Sequence, residues 1–101
     1  MPQFVKVATM ADLPEGAAMT VDAAGRPVAL SNVDGKVYAT SNTCPHQGGP
    51  LGEGDLDGTS ITCPWHAFRF EVATGQCVNQ PALKVGCYPV RVDGQDILVL
   101  V

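Results

Sequence analysis

Two short segments hold most of the chemistry this chain could perform. Cys44-Pro45-His46 and Cys63-Pro64-Trp65-His66 contain both histidines of the chain and two of its four cysteines, with sixteen residues between His46 and Cys63. Thiolates and imidazoles are metal ligands. The bland alternative is a pair of buried thiols and two ordinary surface histidines. Against it, each histidine follows a cysteine within three residues.

A structural zinc ion accepts two thiolates and two imidazoles in a tetrahedron, so ligand type alone leaves zinc open. Spacing weighs against it. Zinc sites usually present a pair of thiols a few residues apart, whereas each segment here mixes one thiol with one imidazole. Cys44 and His46, with a single residue between them, make a tight bite on one ion. The demand eases if the two side chains bind different metals lying close together. Two irons bridged by sulfides meet it, both cysteines on one iron and both histidines on the other.

These segments resemble the Rieske family. Cys44-Pro45-His46-Gln47-Gly48-Gly49-Pro50-Leu51 is similar to its first cluster-binding loop. Cys63-Pro64-Trp65-His66, followed by Phe68-x-Phe70, is similar to the second, and Asn79 to Ala82 resembles the proline-bearing loop over the cluster. The resemblance implies one [2Fe-2S] cluster per chain. Cys44 and Cys63 would ligate the inner iron and His46 and His66 the outer, with Gln47, Gly48, Trp65, Phe68 and Pro81 beside them. It also implies that the free ring nitrogens of the histidines reach the surface, one imidazole away from a docked partner.

Charge explains the use of mixed ligands. Two ferric ions, two sulfides, two thiolates and two neutral imidazoles sum to about zero, and reduction gives about −1. Four thiolates would make both states more negative and the electron harder to add. Departures from the family pattern matter too. Respiratory and photosynthetic members carry an extra cysteine in each loop, joined as a disulfide; the matching positions here are Gly49 and Trp65. A serine and a tyrosine that donate hydrogen bonds to sulfur are matched by Phe68 and Phe70, which have nothing to donate. The expectation is a potential at the low end of the Rieske range, about −150 mV, suited to a carrier fed by a nicotinamide-linked reductase. Trp65 is expected to cover the cluster and pack its loop shut. Because the outer iron should acidify His46 and His66, the potential should fall at alkaline pH.

With both histidines committed, none remains for a mononuclear iron triad or for a nucleophile–histidine pair. Gly52-Glu53-Gly54 lacks the strand–turn–helix setting of a dinucleotide fingerprint and reads as loop. The chain is therefore expected to be no enzyme. It resembles the ferredoxins that pass electrons from an NAD(P)H-dependent flavoprotein reductase to a terminal ring-hydroxylating Rieske dioxygenase in aromatic hydrocarbon catabolism. Two other readings stay open: a small Rieske-like subunit of an assimilatory nitrite reductase, and a zinc-stapled interaction module.

The elements that must position these loops read as all-β. The 101 residues suffice for one domain, and 46% apolar content is ordinary for a globular chain. A net charge of −4 argues against nucleic acid or anionic lipid as partner. The N-terminus lacks the pattern of a secretory signal, and no apolar run approaches a membrane span. A cytoplasmic monomer is the expectation.

Phe4 to Ala8 is β-rich, and Thr9 could cap a short helical turn before Pro14. Pro27 to Val33 and Lys36 to Thr40 flank Asp34-Gly35, a tight-hairpin dipeptide. Tyr88 to Val92 and Ile97 to Val101 flank a loop of Asp93 to Asp96, and the second of these runs is apolar enough to lie mid-sheet. Residues 43–82, approximately, read as a small cluster-binding subdomain inserted into a β-sandwich or barrel of antiparallel strands. Ser60 to Cys63 and Phe68 to Ala73 are its strand candidates, with Thr74-Gly75 a turn. Cys77 and Cys87 are expected to be buried, inert thiols, with a disulfide between them a lesser option. Glu53, Asp55 and Asp57 read as a solvated turn that could also orient docking on a basic partner.

Overall fold

The computed structural model describes residues 3–43, 49–65, 68–80 and 82–101. Among the described residues the regular structure is ten strands and two single 3-10 turns. Strands β1 (Phe4–Thr9), β10 (Asp96–Leu100) and β9 (Val90–Asp93) form one antiparallel sheet in that spatial order. A second sheet runs β2 (Ala18–Ala23), β3 (Arg26–Val33), β4 (Lys36–Ser41), β8 (Cys87–Tyr88). A third, smaller one is β5 (Asp55–Asp57), β6 (Ser60–Thr62), β7 (Arg69–Glu71).

Strand β3 organises the layers because it is buried on both faces. Val28 and Leu30 point into a core shared with Ala8, Ile97 and Val99 of the first sheet. Ala29, between them, belongs to a second core with Ile61 and Phe70 of the third sheet and Val72 just beyond its last strand. Alternation along one strand thus serves two cores. Full burial of an aliphatic or phenyl side chain of this kind contributes about 1.5–3 kcal/mol. The third sheet is therefore a packed layer, and it carries the second cysteine loop at its end.

Local chemistry accounts for the connections. Asp34 (φ 52) and Gly35 (φ 90) both take positive φ, as a two-residue type I′ turn requires, so the hairpin expected there forms. At the 3-10 turn Met10–Asp12 the Thr9 N–H and the Thr9 hydroxyl both donate to the Asp12 carboxylate, at 3.1 and 3.0 Å. Strand β10 is central in its sheet, as its apolar run suggests.

Three expectations are corrected. Tyr88 to Val92 is not one strand. Pro89 has no N–H for the ladder, and the chain changes sheets there, Tyr88 pairing with Ala39 and Val90 with Val99. Asp96 is not loop but strand, paired with Asp93 around a turn of Gly94 and Gln95. Asp55–Asp57 is the edge strand of the third sheet, with Leu56 opposite Ile61. Its two exposed aspartates are the kind of charge that keeps an edge strand from pairing with another chain.

Candidate metal centre

Both cysteine loops are pinched at their stems. Thr43 and Pro50 form an antiparallel bridge that closes residues 43–50. Just outside it, Leu51 N–H donates to the Asn42 carbonyl at 2.7 Å. In the second loop, Cys63 N–H donates to the Phe68 carbonyl at 2.7 Å, directly beyond the Thr62–Arg69 pair of β6 and β7. A third loop, residues 77–83, is closed by Cys77 N–H to the Leu83 carbonyl at 3.1 Å.

Side chains fasten these loops to the sheets. The carbonyl oxygen of the Asn42 side chain accepts from Gly52 N–H at 2.7 Å and from the Thr20 hydroxyl at 3.1 Å. Gly52 itself must be glycine, since a Cβ there would lie 2.8 Å from that same oxygen and 2.9 Å from the Met19 carbonyl carbon. The 3-10 turn Leu51–Glu53 is thereby tied to β2, and it buries Leu51 in the second core. Asn79 does similar work on the third loop. Its side-chain oxygen accepts from Arg69 N–H at 3.1 Å and from the Cys77 thiol at 3.4 Å, while Val78 N–H donates to the Arg69 carbonyl at 2.7 Å. Asn42 escaped the sequence reading; a polar residue just before Thr43-Cys44, with a glycine shortly after the loop, was the available signal.

Of the residues expected to ligate or flank the cluster, Cys63, Trp65 and Phe68 are described. Cys44, His46, Gln47, Gly48, His66 and Pro81 lie outside the described residues. Cys63 is a free thiol, 1% exposed, in the second core with Leu51, Ile61 and Phe70. Gly49, at the end of the first loop, is buried against it: an added Cβ would sit 2.9 Å from the Cys63 sulfur and 3.1 Å from Cγ and Cδ2 of Trp65. The two loops therefore meet at the sulfur of Cys63. Trp65 packs across to Gly49 but remains 56% exposed. Phe68 is half-buried against the second core, and Phe70 is fully buried within it.

These observations fit a [2Fe-2S] cluster. An unpaired thiol is held in an apolar wall at a junction of two closed loops, where the neighbouring chain carries no side chain. Among the described residues no group of three or more His, Cys, Asp or Glu could hold a metal ion by itself.

Cys77 is buried as expected, but Cys87 is exposed, and both are free thiols. Cys87 sits on β8, a two-residue strand at the edge of its sheet, which leaves its side chain uncovered. Partial desolvation still raises its thiol pKa above the ordinary value, with nearby Lys84 pulling the other way.

Comparison with known proteins agrees with the fold and the loops. The model of the Rieske [2Fe-2S] domain matches residues 3–89. The ferredoxin component of the naphthalene 1,2-dioxygenase system of Pseudomonas aeruginosa is 34% identical over 98 residues, covering 96% of this chain and 94% of that protein. Among solved structures, the ferredoxin of carbazole 1,9a-dioxygenase from Nocardioides aromaticivorans IC177 superposes with a TM-score of 0.89 at 37% identity, covering 96% of each chain. A chain from a complex of reduced oxygenase and oxidized ferredoxin in carbazole 1,9a-dioxygenase gives 0.87 at 35% identity, covering 95% of this chain and 91% of that one. A protein assigned as the small subunit of an NADH-dependent nitrite reductase from Mycobacterium tuberculosis gives 0.90 at 25% identity, covering 100% of this chain and 96% of that one.

The chain belongs to the Rieske [2Fe-2S] family. Its cofactor is a [2Fe-2S] cluster, and its role is to carry electrons as a ferredoxin component, not to catalyse a reaction itself. Among the described residues no helix is long and apolar enough to cross a membrane.

Proposed function

We propose that this ferredoxin serves a ring-hydroxylating dioxygenase system, taking single electrons from an NAD(P)H-dependent flavoprotein reductase and delivering them to a terminal Rieske oxygenase. Cys44 and Cys63 hold one iron and His46 and His66 the other. When bound, the cluster accepts and releases one electron at a time. Everything else is the work of the chain.

Asn42, the Thr43–Pro50 bridge and the Cys63–Phe68 hydrogen bond close the stems of the two ligand loops. The apolar wall of Leu51, Ile61 and Phe70 keeps water from the inner side. The phenyl side chains of Phe68 and Phe70 offer sulfur no hydrogen bond, where a hydroxyl would stabilise the extra negative charge of the reduced state. Trp65 and Val78 put apolar surface at the loop ends, both well exposed.

The observation that carries the reading is the meeting of the two loops at the Cys63 sulfur, in a chain whose full-length relatives are dioxygenase ferredoxins. The nitrite reductase reading has a comparable fold match at lower identity. Retention of all four ligands at family spacing favours the ferredoxin. We read residues 1–101 as a single domain with the cluster-binding part at 43–82, working as a cytoplasmic monomer. Reconstituting electron transfer from a flavoprotein ferredoxin reductase to a ring-hydroxylating oxygenase tests the assignment. Turnover of the oxygenase only when this chain is present is the expected result. Turnover no faster with the cluster-loaded, reducible chain than without it contradicts the assignment.

A further inference from the structure

Gly49 ends the first loop and Trp65 stands at the tip of the second. The ideal Cβ position of Gly49 is 2.9 Å from the Cys63 sulfur and 3.1 Å from two atoms of the indole. Any side chain at position 49 must displace one or both. The Cys63 backbone is anchored by its N–H bond to the Phe68 carbonyl and the residue packs in the second core, so a side chain at 49 would bear on the sulfur itself. The indole is in a different situation. Its ring lies against the bare backbone of Gly49 while more than half of the residue stays in solvent.

We propose that Gly49 and Trp65 form a packed latch between the two loops, and that this latch sets the position of the Cys63 sulfur. The proposal rests on the reading of Cys63 as an iron ligand. Metal–ligand distances tolerate shifts of only about 0.2 Å, so a few tenths of an ångström at this sulfur are enough to disturb the site. Without Trp65 the second loop loses the body that bears on the first. With a side chain at position 49 the sulfur is pushed. Both residues are positioning residues: they act through Cys63 and make no bond to metal. The latch holds by packing, so thiol reductants leave it intact.

Purified holoprotein tests this with Gly49→Ala, Trp65→Ala, Trp65→Phe and the Gly49→Ala/Trp65→Ala pair. Three readouts are followed: the rate at which a chelator bleaches the visible absorption, the g-values of the reduced protein, and acrylamide quenching of tryptophan emission. Trp65 is the only tryptophan in the chain, so that emission reports on the latch alone. Gly49→Ala is expected to bleach about tenfold faster or more, to shift the g-values and to make the indole more accessible to acrylamide. Trp65→Ala is expected to bleach faster, with Trp65→Phe recovering most of the loss. The double variant stays impaired, because the contact between residue 49 and the Cys63 sulfur survives in it. Wild-type bleaching and g-values in Trp65→Ala, or wild-type quenching in Gly49→Ala, would overturn the latch. If Gly49→Ala fails to fold, the two Trp65 variants decide the matter. A wild-type protein lacking a histidine-ligated cluster signal would instead bring down the ferredoxin reading itself, and the latch with it.

Discussion

The side-chain oxygen of Asn42 and the backbone N–H of Gly52 are joined by a 2.7 Å hydrogen bond that spans the first ligand loop from one side to the other. The same oxygen accepts from Thr20 on β2, so one buried carbonyl couples the loop to the second sheet. Asn42→Ala would leave the Gly52 N–H without this partner in a buried setting, at a cost of about 1–3 kcal/mol. The urea midpoint of the holoprotein should fall, and chelator bleaching should quicken. An unchanged midpoint and rate would mean that the loop is held by other contacts.

Phe70 is fully buried beneath the second loop. Truncation to alanine removes a phenyl ring from the core that also contains Cys63, and should cost about 3–5 kcal/mol of stability. Cluster occupancy after purification should drop with it. A loss below about 1 kcal/mol would show that the third sheet collapses around the gap, contrary to a tightly packed layer.

The side chains of Phe68 and Phe70 carry no donor for a hydrogen bond to sulfur. The potential should therefore lie near the low end of the Rieske range, about −150 mV, and Phe70→Tyr or Phe68→Ser should raise it wherever the new hydroxyl reaches a sulfur. Voltammetry checks both. A clearly positive potential in the unmodified protein would contradict this account of how the cluster is tuned.

Much of this was legible in the residues and some was not, for physical reasons. The Asp34-Gly35 hairpin could be read because its turn type demands positive φ at both positions, which that dipeptide tolerates. The neighbouring β2–β3 hairpin could not. Its turn places Ala24 at φ 53 before Gly25, and alanine gives no hint of that conformation; the Asp22 carboxylate bonded to Gly25 N–H at 2.7 Å supplies the missing support. Strand β2 itself, Ala-Met-Thr-Val-Asp-Ala, has too weak an alternation to stand out. Asp55-Leu56-Asp57 looked like a turn because aspartate is a poor strand former, and only its pairing with β6 makes it an edge strand. The proposed ligand set rests on metal chemistry, which restricts residue type and spacing far more tightly than folding does. What spacing could not reveal was the anchoring by Asn42 and Asn79, which depends on contacts between distant segments.

Cys87 is exposed while Cys63 and Cys77 are buried. A thiol alkylator applied to the folded holoprotein should label Cys87 and spare the other two, as read by mass spectrometry. The thiolate is the reactive form, and desolvation raises the Cys87 pKa, so its labelling rate should climb at a higher pH than that of a free thiol. Labelling of Cys77 at a similar rate would contradict the closed third loop.

Glu53, Asp55 and Asp57 are all exposed, on the turn and edge strand between the two ligand loops. If they orient docking on a basic reductase or oxygenase, replacing all three with their amides should lower the rate of electron transfer at low salt and flatten its salt dependence. An unchanged salt dependence would leave them as edge-strand charges only.

The central claim is a diiron centre with two sulfur ligands on one iron and two nitrogen ligands on the other. Pulsed electron spin resonance of the dithionite-reduced protein addresses it most directly. A rhombic signal with nitrogen couplings from two histidine imidazoles is expected, with those couplings changing to the 15N pattern when histidine is labelled. A colourless protein carrying zinc, or a reduced cluster without histidine nitrogen couplings, would contradict it.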